Sequence, residues 1–369
     1  MRYYLIAGEA SGDLHGSNLV KGLKAEDPDA EFRFLGGDLI SEAAGCEPVI
    51  HYKEGAVMGL TDVLAKAGKL SRNLSRCKRD IVEWKPNVVI LIDYPGFNFR
   101  IARFCHERGL RVFWYIAPKT WASREGRNKL LKRYVDRLFV IFPFEVPYFE
   151  SKGIPFVYKG NPLIDAVDAH EFRRPCEEDF IALLPGSRKG EISRMMPVFM
   201  EAADRLGMKV VIAGAPSATE FDYAPYIGGR KNVELLFGRT YDILKYASAA
   251  IVNSGTASLE AALIGTPQVV CWSWGALTFF VADKLVGVRK RIKYISLGNL
   301  CLGRQAFREL VQDDFTADNV CDEMRRLMEN KPYRRHMKED YARIRELLGG
   351  SGASAAVAKA MLEELKPSR

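Results

Sequence analysis

Short runs of apolar, often β-branched residues recur along almost the whole chain, and most of them end in a turn rich in Gly, Pro or Ser. A stretch with the apolar spacing of an amphipathic helix usually follows each turn. This order of strand, loop and helix is typical of parallel sheets covered by helices. One series of candidate strands reads YYLIAG, FRFLGG, VVILID, RVFWYIAP, RLFVIFP and PFVYKGNP, and a second reads FIALLPGS, KVVIAGAP, VELLFG, AAIVNSG and PQVVCW.

The two series predict two similar α/β domains, because a chain of 369 residues is too long for one ordinary core. The polar segment 161–179 shows no strand pattern and is interpreted as a linker. We expect an N-terminal domain at 1–165 and a C-terminal domain at 166–349, each a doubly wound parallel sheet, facing each other across a cleft. The small-residue helix at 350–369 is expected to pack back on the N-terminal domain or on a partner chain.

Composition narrows the classes of partner. The net charge of +8 favours anionic ligands such as phosphates, nucleotides or an anionic membrane surface. Nucleic acid is not expected, because the sequence has no long Lys/Arg run, zinc-finger spacing or aromatic RNA-binding signature. The seven scattered cysteines form no CxxC pair, which argues against a zinc site or a disulfide framework. No stretch approaches the ~20 apolar residues of a membrane span, so any membrane contact is expected to be peripheral.

Asp93 closes the apolar run VVILI, where a buried strand would otherwise continue into a turn. In open α/β sheets, ligands bind beyond the carboxyl ends of the strands. The position of Asp93 therefore indicates a site and not a core. The alternative is that its carboxylate caps the following turn.

The stretch LLPGSRKGEI at 183–192 has the order of strand, glycine turn and helix start. Backbone N–H groups of such a turn point at an anion, and Arg188 adds a planar charged fork suited to phosphate oxygens. We interpret Gly186, Ser187 and Arg188 as a diphosphate cradle. The stretch is neither a Walker A loop nor a GxGxxG, and an ordinary turn with a solvated arginine is the alternative.

The stretch IVNSGTASLEAALIGTPQVV at 251–270 is the strongest local signal. Ser254, Gly255 and Thr256 stand where hydroxyl and backbone N–H groups at a helix start bind phosphate, and Glu260 lies one turn further on. A carboxylate suits the two hydroxyls of a ribose. The pattern favours a nucleotide-sugar site, with simple helix capping as the alternative.

The stretch AGEASGDLHGSN at 7–18 is the first turn of the N-terminal half. Gly12 and Gly16, with Ser11, would allow a ligand close to the backbone. Glu9, Asp13 and His15 could act on that ligand. A helix cap at Asp13 and a structural role for His15 remain open.

An amphipathic basic stretch covers 57–80. Leu60, Val63, Leu64, Ala67, Leu70 and Leu74 share one face, and Lys66, Lys69, Arg72, Arg76 and Arg79 lie largely opposite. Packing of the apolar face into the domain is the default interpretation. A basic amphipathic helix also suits a membrane surface, which predicts lipid or acyl-chain contacts for Val57, Met58, Leu60, Val63 and Leu64.

Motifs spread over the whole chain resemble one family, the lipid-A-disaccharide synthases of Gram-negative bacteria. In chain order they read AGEASGD, AVMGLTDVL, IDYPGFN, APKTWAS, LPGSR, NSGTASLEAALIGTP and ISLGNLCLGR. The resemblance implies a GT-B-like glycosyltransferase with two Rossmann-like domains. It also implies a donor, UDP-2,3-diacylglucosamine, and an acceptor, 2,3-diacylglucosamine 1-phosphate (lipid X), that are joined to the β-1,6-linked lipid A disaccharide phosphate with release of UDP.

The same resemblance implies that no metal or other cofactor is required, and that the enzyme acts at the cytoplasmic face of the inner membrane. A homodimer is left open. Asp93 matches the family's proposed catalytic base and Arg188 a diphosphate-binding arginine, while Glu260 and Asn299 match donor-binding positions. The chain departs from the family pattern at Gly298, where Pro is common, and at Ser123, where Trp is common.

Two other functions fit the sequence. A UDP-sugar epimerase could share the two-domain fold, and it would turn over a soluble sugar nucleotide alone. A non-catalytic nucleotide-sugar binding protein would bind UDP-sugar without releasing UDP, and the carboxylate at a strand end argues against it.

Overall fold

The computed structural model describes residues 1–55, 63–122, 124–273 and 293–366. The chain forms two compact units. Unit 1 comprises Met1–Asp165 and Leu348–Arg369, and unit 2 comprises Ala166–Leu347. Each unit is a parallel α/β structure, which confirms the predicted fold class.

Unit 1 is built on a seven-stranded sheet in the order β3-β2-β1-β4-β5-β6-β7. All its strand pairs are parallel. The strands are β1 Arg2–Ala7, β2 Glu31–Gly36, β3 Ile50–His51, β4 Val88–Ile92, β5 Arg111–Tyr115, β6 Arg137–Val140 and β7 Phe156–Tyr158. The strand order reverses between β1 and β4, and such a reversal is the switch point at which doubly wound sheets bind ligands.

The sheet of unit 1 is covered by helices whose apolar sides enter its core. They are α1 Ala10–Glu26, α2 Asp38–Ala44, α3 Val63–Trp84, α4 Pro95–His106, α5 Asn128–Tyr134 and α6 Glu145–Lys152. In α3, Leu70 and Leu74 pack against the core. The default interpretation of this helix is therefore confirmed for the part whose side chains are described.

The C-terminal helix returns to unit 1. This helix, Ala353–Leu365, packs on α1, where a Cβ added to Gly22 would lie 3.0 Å from Ala358 Cβ. The Asp165 carboxylate accepts the backbone N–H groups of Gly352 (2.6 Å) and Ser354 (2.8 Å). In this single chain the C-terminal helix therefore packs on unit 1.

Unit 2 is built on a six-stranded sheet in the order β10-β9-β8-β11-β12-β13. Its strand pairs are also parallel. The strands are β8 Phe180–Leu184, β9 Lys209–Gly214, β10 Val233–Phe237, β11 Ala249–Asn253, β12 Gln268–Trp272 and β13 Glu309–Val311. The order reverses between β8 and β11, so this unit has a switch point of its own.

The helices that follow these strands are α8 Lys189–Leu206, α9 Glu220–Ile227, α10 Thr240–Tyr246, α11 Thr256–Ile264, α12 Leu297–Leu302, α13 Ala317–Glu329 and α14 Lys331–Leu347, so that the C-terminal helix is α15. The segment interpreted as a linker contains a helix, α7 Pro162–Asp168. Its Pro162 stands in the first turn, where a missing N–H costs nothing. The short strands β3 and β13 were not predicted.

Candidate active site

At the switch point of unit 1, the turns after β1 and β4 lie side by side. Ala7 is paired with Ile92, so Gly8 and Asp93 follow at neighbouring strand ends. A Cβ on Gly8 would lie 2.3–2.6 Å from atoms of the Tyr94 ring. Only a glycine permits this contact, which holds the Tyr94 ring against the turn after β1.

Asp93 and Tyr94 both adopt left-handed backbone conformations, with φ of +43° and +45°. Ile116, at the end of the adjacent strand β5, has φ +63°, which is rare for a β-branched residue. Each such residue costs ~1–2 kcal/mol and persists where the surrounding structure enforces it. Backbone strain of this kind clusters at functional sites.

The turn that carries Asp93 is fixed by a buried amide. The Asn98 side chain donates to the Asp93 carbonyl at 2.8 Å and to the Ile92 carbonyl at 3.3 Å. The Asp93 N–H donates to the Tyr115 carbonyl at 3.1 Å. The Asp93 side chain is half-buried at this edge, so a backbone held from both sides presents a carboxylate at the switch point.

Of the residues expected to contact the acceptor in unit 1, two are exposed and one, Asp13, is buried. Glu9 and Ser11 are exposed at the start of α1, beside the switch point. Burial raises the pKa of the nearby Tyr94 hydroxyl, and the charge of Glu9 raises it further.

Asp13 has a structural role and corrects the expectation of a ligand contact. It is 2% exposed, and its oxygens accept the N–H groups of Gly37 (2.8 Å), Leu39 (3.1 Å) and Ile40 (3.2 Å). These groups belong to the start of α2, so Asp13 caps that helix across the fold. A cap was the alternative, although for a different helix than its own.

The glycines of α1 also serve packing and not ligand approach. A Cβ on Gly12 would lie 3.3 Å from Ala7 Cβ, and one on Gly16 would lie 2.6 Å from Ile40 Cδ1. His15 is buried in the same helix, and burial lowers its pKa to about 4. It is therefore neutral near pH 7 and has the structural role that was left open.

At the switch point of unit 2, the turn after β8 lies beside the end of β11, since Leu184 is paired with Val252. Gly186 has φ +116°, a conformation that suits glycine. Arg188 is the N-cap residue of α8 and its side chain is 67% exposed. The predicted cradle residues thus stand at a helix start on the carboxyl edge of the sheet.

The helix α11 begins at the other side of this switch point. Thr256 is exposed at its first position, and Gly255 precedes it as the N-cap. The Ser254 hydroxyl donates to the Ile295 carbonyl at 3.2 Å, which ties this turn to the segment before α12. Gly255 and Thr256 therefore place backbone N–H groups and a hydroxyl at the edge.

Glu260 lies one turn inside α11 and accepts the Tyr241 hydroxyl at 3.4 Å. Burial raises the pKa of Glu260 to about 7, and the Tyr241 hydrogen bond offsets part of that effect. The carboxylate is thus only weakly engaged by its described neighbour.

Asn299 is buried and corrects the expectation that it contacts the donor. Its Nδ2 donates to the Phe307 carbonyl (3.0 Å) and to Glu309 Oε1 (2.8 Å), and its Oδ1 accepts the Ala306 N–H (2.7 Å). With no exposed surface and both ends of the amide engaged, Asn299 joins α12 to the segment before β13. The carboxylate of Glu309 also accepts the N–H groups of Ile295 and Ser296.

The remaining predictions fall outside the described residues. Val57, Met58, Leu60 and Ser123 lie there, as do the side chains of Val63 and Leu64. Among the described helices, none is both long and apolar enough to cross a membrane. Within the same described ranges, no group of His, Cys, Asp or Glu side chains could hold a metal ion.

A family model described as lipid-A-disaccharide synthetase matches residues 3–363 of this chain. The chain belongs to the lipid-A-disaccharide synthase family. Curated lipid-A-disaccharide synthases agree: that of Geobacter metallireducens is 38% identical and that of Myxococcus xanthus 35%, each alignment covering 100% of this chain and 98% of the relative. As a member of the lipid-A-disaccharide synthase family, the protein is a glycosyltransferase.

Solved structures share the fold at low sequence identity. A putative UDP-N-acetylglucosamine 2-epimerase from Listeria monocytogenes has a TM-score of 0.73 at 15% identity, covering 100% of this chain and 97% of its own. The UDP-GlcNAc 2-epimerase of Neisseria meningitidis bound to UDP-GlcNAc has 0.70 at 13%, covering 98% and 100%. A calicheamicin glycosyltransferase has 0.57 at 17%, covering all of both chains. These likenesses confirm the GT-B-like fold of the lipid-A-disaccharide synthase family.

Three side chains that matter to the site were missed by the sequence analysis. Tyr94 covers the turn after β1, Glu191 binds the turn after β8, and Glu309 organises the segment before α12. Glu191 carried a weak signal, because an acidic residue three positions after an N-cap often accepts backbone N–H groups. The partners of Tyr94 and Glu309 lie far away in the sequence and gave no local signal.

Proposed function

We propose that this chain is an inverting glycosyltransferase that joins UDP-2,3-diacylglucosamine to lipid X, giving the lipid A disaccharide 1-phosphate and UDP. Family membership supports the reaction class. The observation that carries the proposal is the pair of switch points: one presents the carboxylate of Asp93, and the other presents Arg188 with two helix starts. A glycosyl transfer needs a base for the acceptor and a cationic receptor for the leaving diphosphate.

Unit 2 is proposed to bind the donor. Negative charge builds on the diphosphate as its bond to the sugar breaks, and oriented N–H groups and a guanidinium stabilise such charge. Arg188 is the cation, and Gly186, Ser187, Gly255 and Thr256 provide backbone and hydroxyl donors. Ser254 shapes that turn, and Glu260 is proposed to accept hydrogen bonds from the ribose.

Unit 1 is proposed to bind the acceptor. Its sugar hydroxyl must lose a proton as it attacks, and Asp93 is the proposed general base. Glu9 and Ser11 remain proposed acceptor contacts, since both are exposed beside that switch point. A single in-line displacement would invert the configuration at the anomeric carbon.

A peripheral position on the cytoplasmic face of the inner membrane is proposed from the acylated substrates and the basic character of α3. Arg72, Arg76 and Arg79 are exposed on this helix. We expect Ser substitutions among the proposed lipid-contacting residues Val57, Met58, Leu60, Val63 and Leu64 to reduce sedimentation with anionic vesicles while the melting temperature is kept. Unchanged sedimentation would remove the membrane role from this segment.

The reaction is tested by mass spectrometry with purified protein, UDP-2,3-diacylglucosamine and lipid X in detergent micelles. We expect a disaccharide phosphate and an equal amount of UDP, and neither product when lipid X is omitted. A sugar nucleotide that isomerises without lipid X would instead identify an epimerase. Binding of the donor with no UDP released under any condition would identify a binding protein.

A further inference from the structure

One carboxylate lies inside the turn that is proposed to receive the diphosphate. Glu191 Oε2 accepts the Ser187 N–H at 2.9 Å, and Glu191 Oε1 accepts Arg188 Nη1 at 3.2 Å. The Asn253 side-chain amide, at the end of β11, reaches Glu191 Oε2 at 3.4 Å. The Glu191 side chain is only 15% exposed. It therefore joins the two strand ends of the switch point.

The three donors are of the kinds that bind phosphate oxygens. They are a backbone N–H of a glycine turn, a guanidinium and a side-chain amide. Gly186 makes room for the arrangement, since a Cβ there would lie 2.5 Å from Glu191 Oε2 and 2.6 Å from Asn253 Nδ2. Asn253 is 4% exposed, and its Oδ1 has no hydrogen-bond partner among the described residues. This amide is thus incompletely satisfied in the protein alone.

We propose that Glu191 is an internal anion that competes with the donor's diphosphate for the turn 185–191, and so sets how tightly UDP is held. The inference rests on the proposed function of this turn. The Glu191 carboxylate accepts from Ser187 and Arg188 in the protein alone, and a phosphate oxygen replaces it when UDP binds.

The competition follows from the number of donors. A backbone N–H carries one hydrogen, so the Ser187 N–H cannot hold Glu191 and a phosphate oxygen equally well. Arg188 has five N–H donors and can keep a diphosphate after Glu191 withdraws. A carboxylate that stays near the diphosphate also repels it, which weakens the binding of the product UDP. Both effects act on phosphate and neither acts on the nucleoside.

The test compares wild type with Glu191→Gln by calorimetry, using UDP and uridine as ligands. Gln keeps an oxygen for the Ser187 N–H but loses the charge. We expect UDP to bind roughly threefold to tenfold more tightly to the variant, and uridine to bind equally to both proteins. The gain in UDP affinity should shrink at high salt. Glu201→Gln, on the exposed face of α8 and paired with Arg205, is the matched control and should change neither affinity.

Weaker UDP binding in Glu191→Gln would overturn the competition and make the carboxylate a permanent brace of Arg188. Equal changes for UDP and uridine would also overturn it, since a general loss of structure does not distinguish phosphate. Glu191→Ala separates the two roles. If the carboxylate braces Arg188, its removal weakens UDP binding. If it competes with the diphosphate, its removal tightens UDP binding. If wild type binds no UDP at all, the proposed function of the turn fails first, and the calorimetry reports that outcome separately.

Discussion

At the switch point of unit 1 the left-handed backbone falls on Asp93, Tyr94 and Ile116, whereas in the turn 185–191 of unit 2 it falls on Gly186. The first arrangement is strained and the second is not, because glycine adopts positive φ at little cost. The two edges also differ in charge. Unit 1 presents Glu9 and Asp93, and unit 2 presents Arg188 at a helix start.

This difference teaches what each edge has to supply. A general base needs one carboxylate at a fixed point, and strain in the backbone around Asp93 is compatible with that need. A diphosphate receptor needs several donors from turns held by hydrogen bonds, and unstrained glycine backbone meets that need. Removing Asp93 from the edge of unit 1, or Arg188 from the edge of unit 2, tests these two needs separately.

Asp93→Asn removes the carboxylate of unit 1 and should have the largest effect. Asn keeps the shape but cannot accept the proton, so turnover should fall ~10²–10⁴-fold. UDP affinity and melting temperature should stay at the wild-type values. Asp136→Asn is a matched control, because this carboxylate binds the Val112 N–H at the opposite edge of the same sheet. Full activity in Asp93→Asn would make Asp93 a turn residue and move the search for the base to Glu9.

Arg188→Ala removes the cation of unit 2. A charge-assisted hydrogen bond contributes ~1.5–3 kcal/mol, so UDP affinity should fall roughly 10- to 150-fold by calorimetry. Arg343→Ala is the control, since Arg343 is an exposed arginine of the same unit that pairs with Glu346. An unchanged affinity for UDP in Arg188→Ala would exclude the turn as a diphosphate cradle.

Glu145 sharpens the comparison, because it is a buried carboxylate of unit 1 with a structural role. It is 1% exposed and accepts the N–H groups of Ile141 (3.1 Å) and Phe142 (3.0 Å). Burial raises its pKa from 4.5 to about 7. The folded state therefore holds the proton more tightly than the unfolded state, and this group makes stability fall as pH rises from about 4.5 to about 7.

Glu145→Gln should remove this contribution, which we expect to be about 3 kcal/mol across the window. The measurement is the melting temperature of both proteins at several pH values between 4.5 and 7.5, with exposed Glu26→Gln as the control. Parallel curves for wild type and Glu145→Gln would show that the carboxylate titrates alike in the folded and unfolded states.

Gly8→Ala should have the smallest effect. The added Cβ would contact the Tyr94 ring. If the ring can rotate away, this overpacking should lower the free energy of unfolding by ~1 kcal/mol, the lower end of the usual range. When the ring has been removed by Tyr94→Ala, adding Gly8→Ala should cause no further loss of stability, as measured by urea denaturation. Gly126→Ala, which would meet no atom within 4 Å, is the control. Additive losses in the double variant would mean that Gly8 and Tyr94 do not interact.

The sequence by itself determined the two α/β halves and the strand ends that carry Asp93, Arg188 and Thr256. Period and turn chemistry are local properties, and they can be read without a structure. The family likewise followed from motifs in order along the chain. Sequence alone also indicated that a carboxylate and an arginine stand beyond carboxyl ends of strands.

Only the tertiary structure decided which side chains of these motifs are already engaged by the protein. Asp13 accepts the N–H of Gly37, 24 residues later, Asn253 donates to Glu191 across 62 residues, and both ends of the Asn299 amide bind the segment before β13. Each partner is set by which strands are neighbours and by how helices pack on them. Strand order places β1 beside β4 and β8 beside β11, and no local pattern encodes that order, because it depends on the free energy of the whole sheet and not on any one segment.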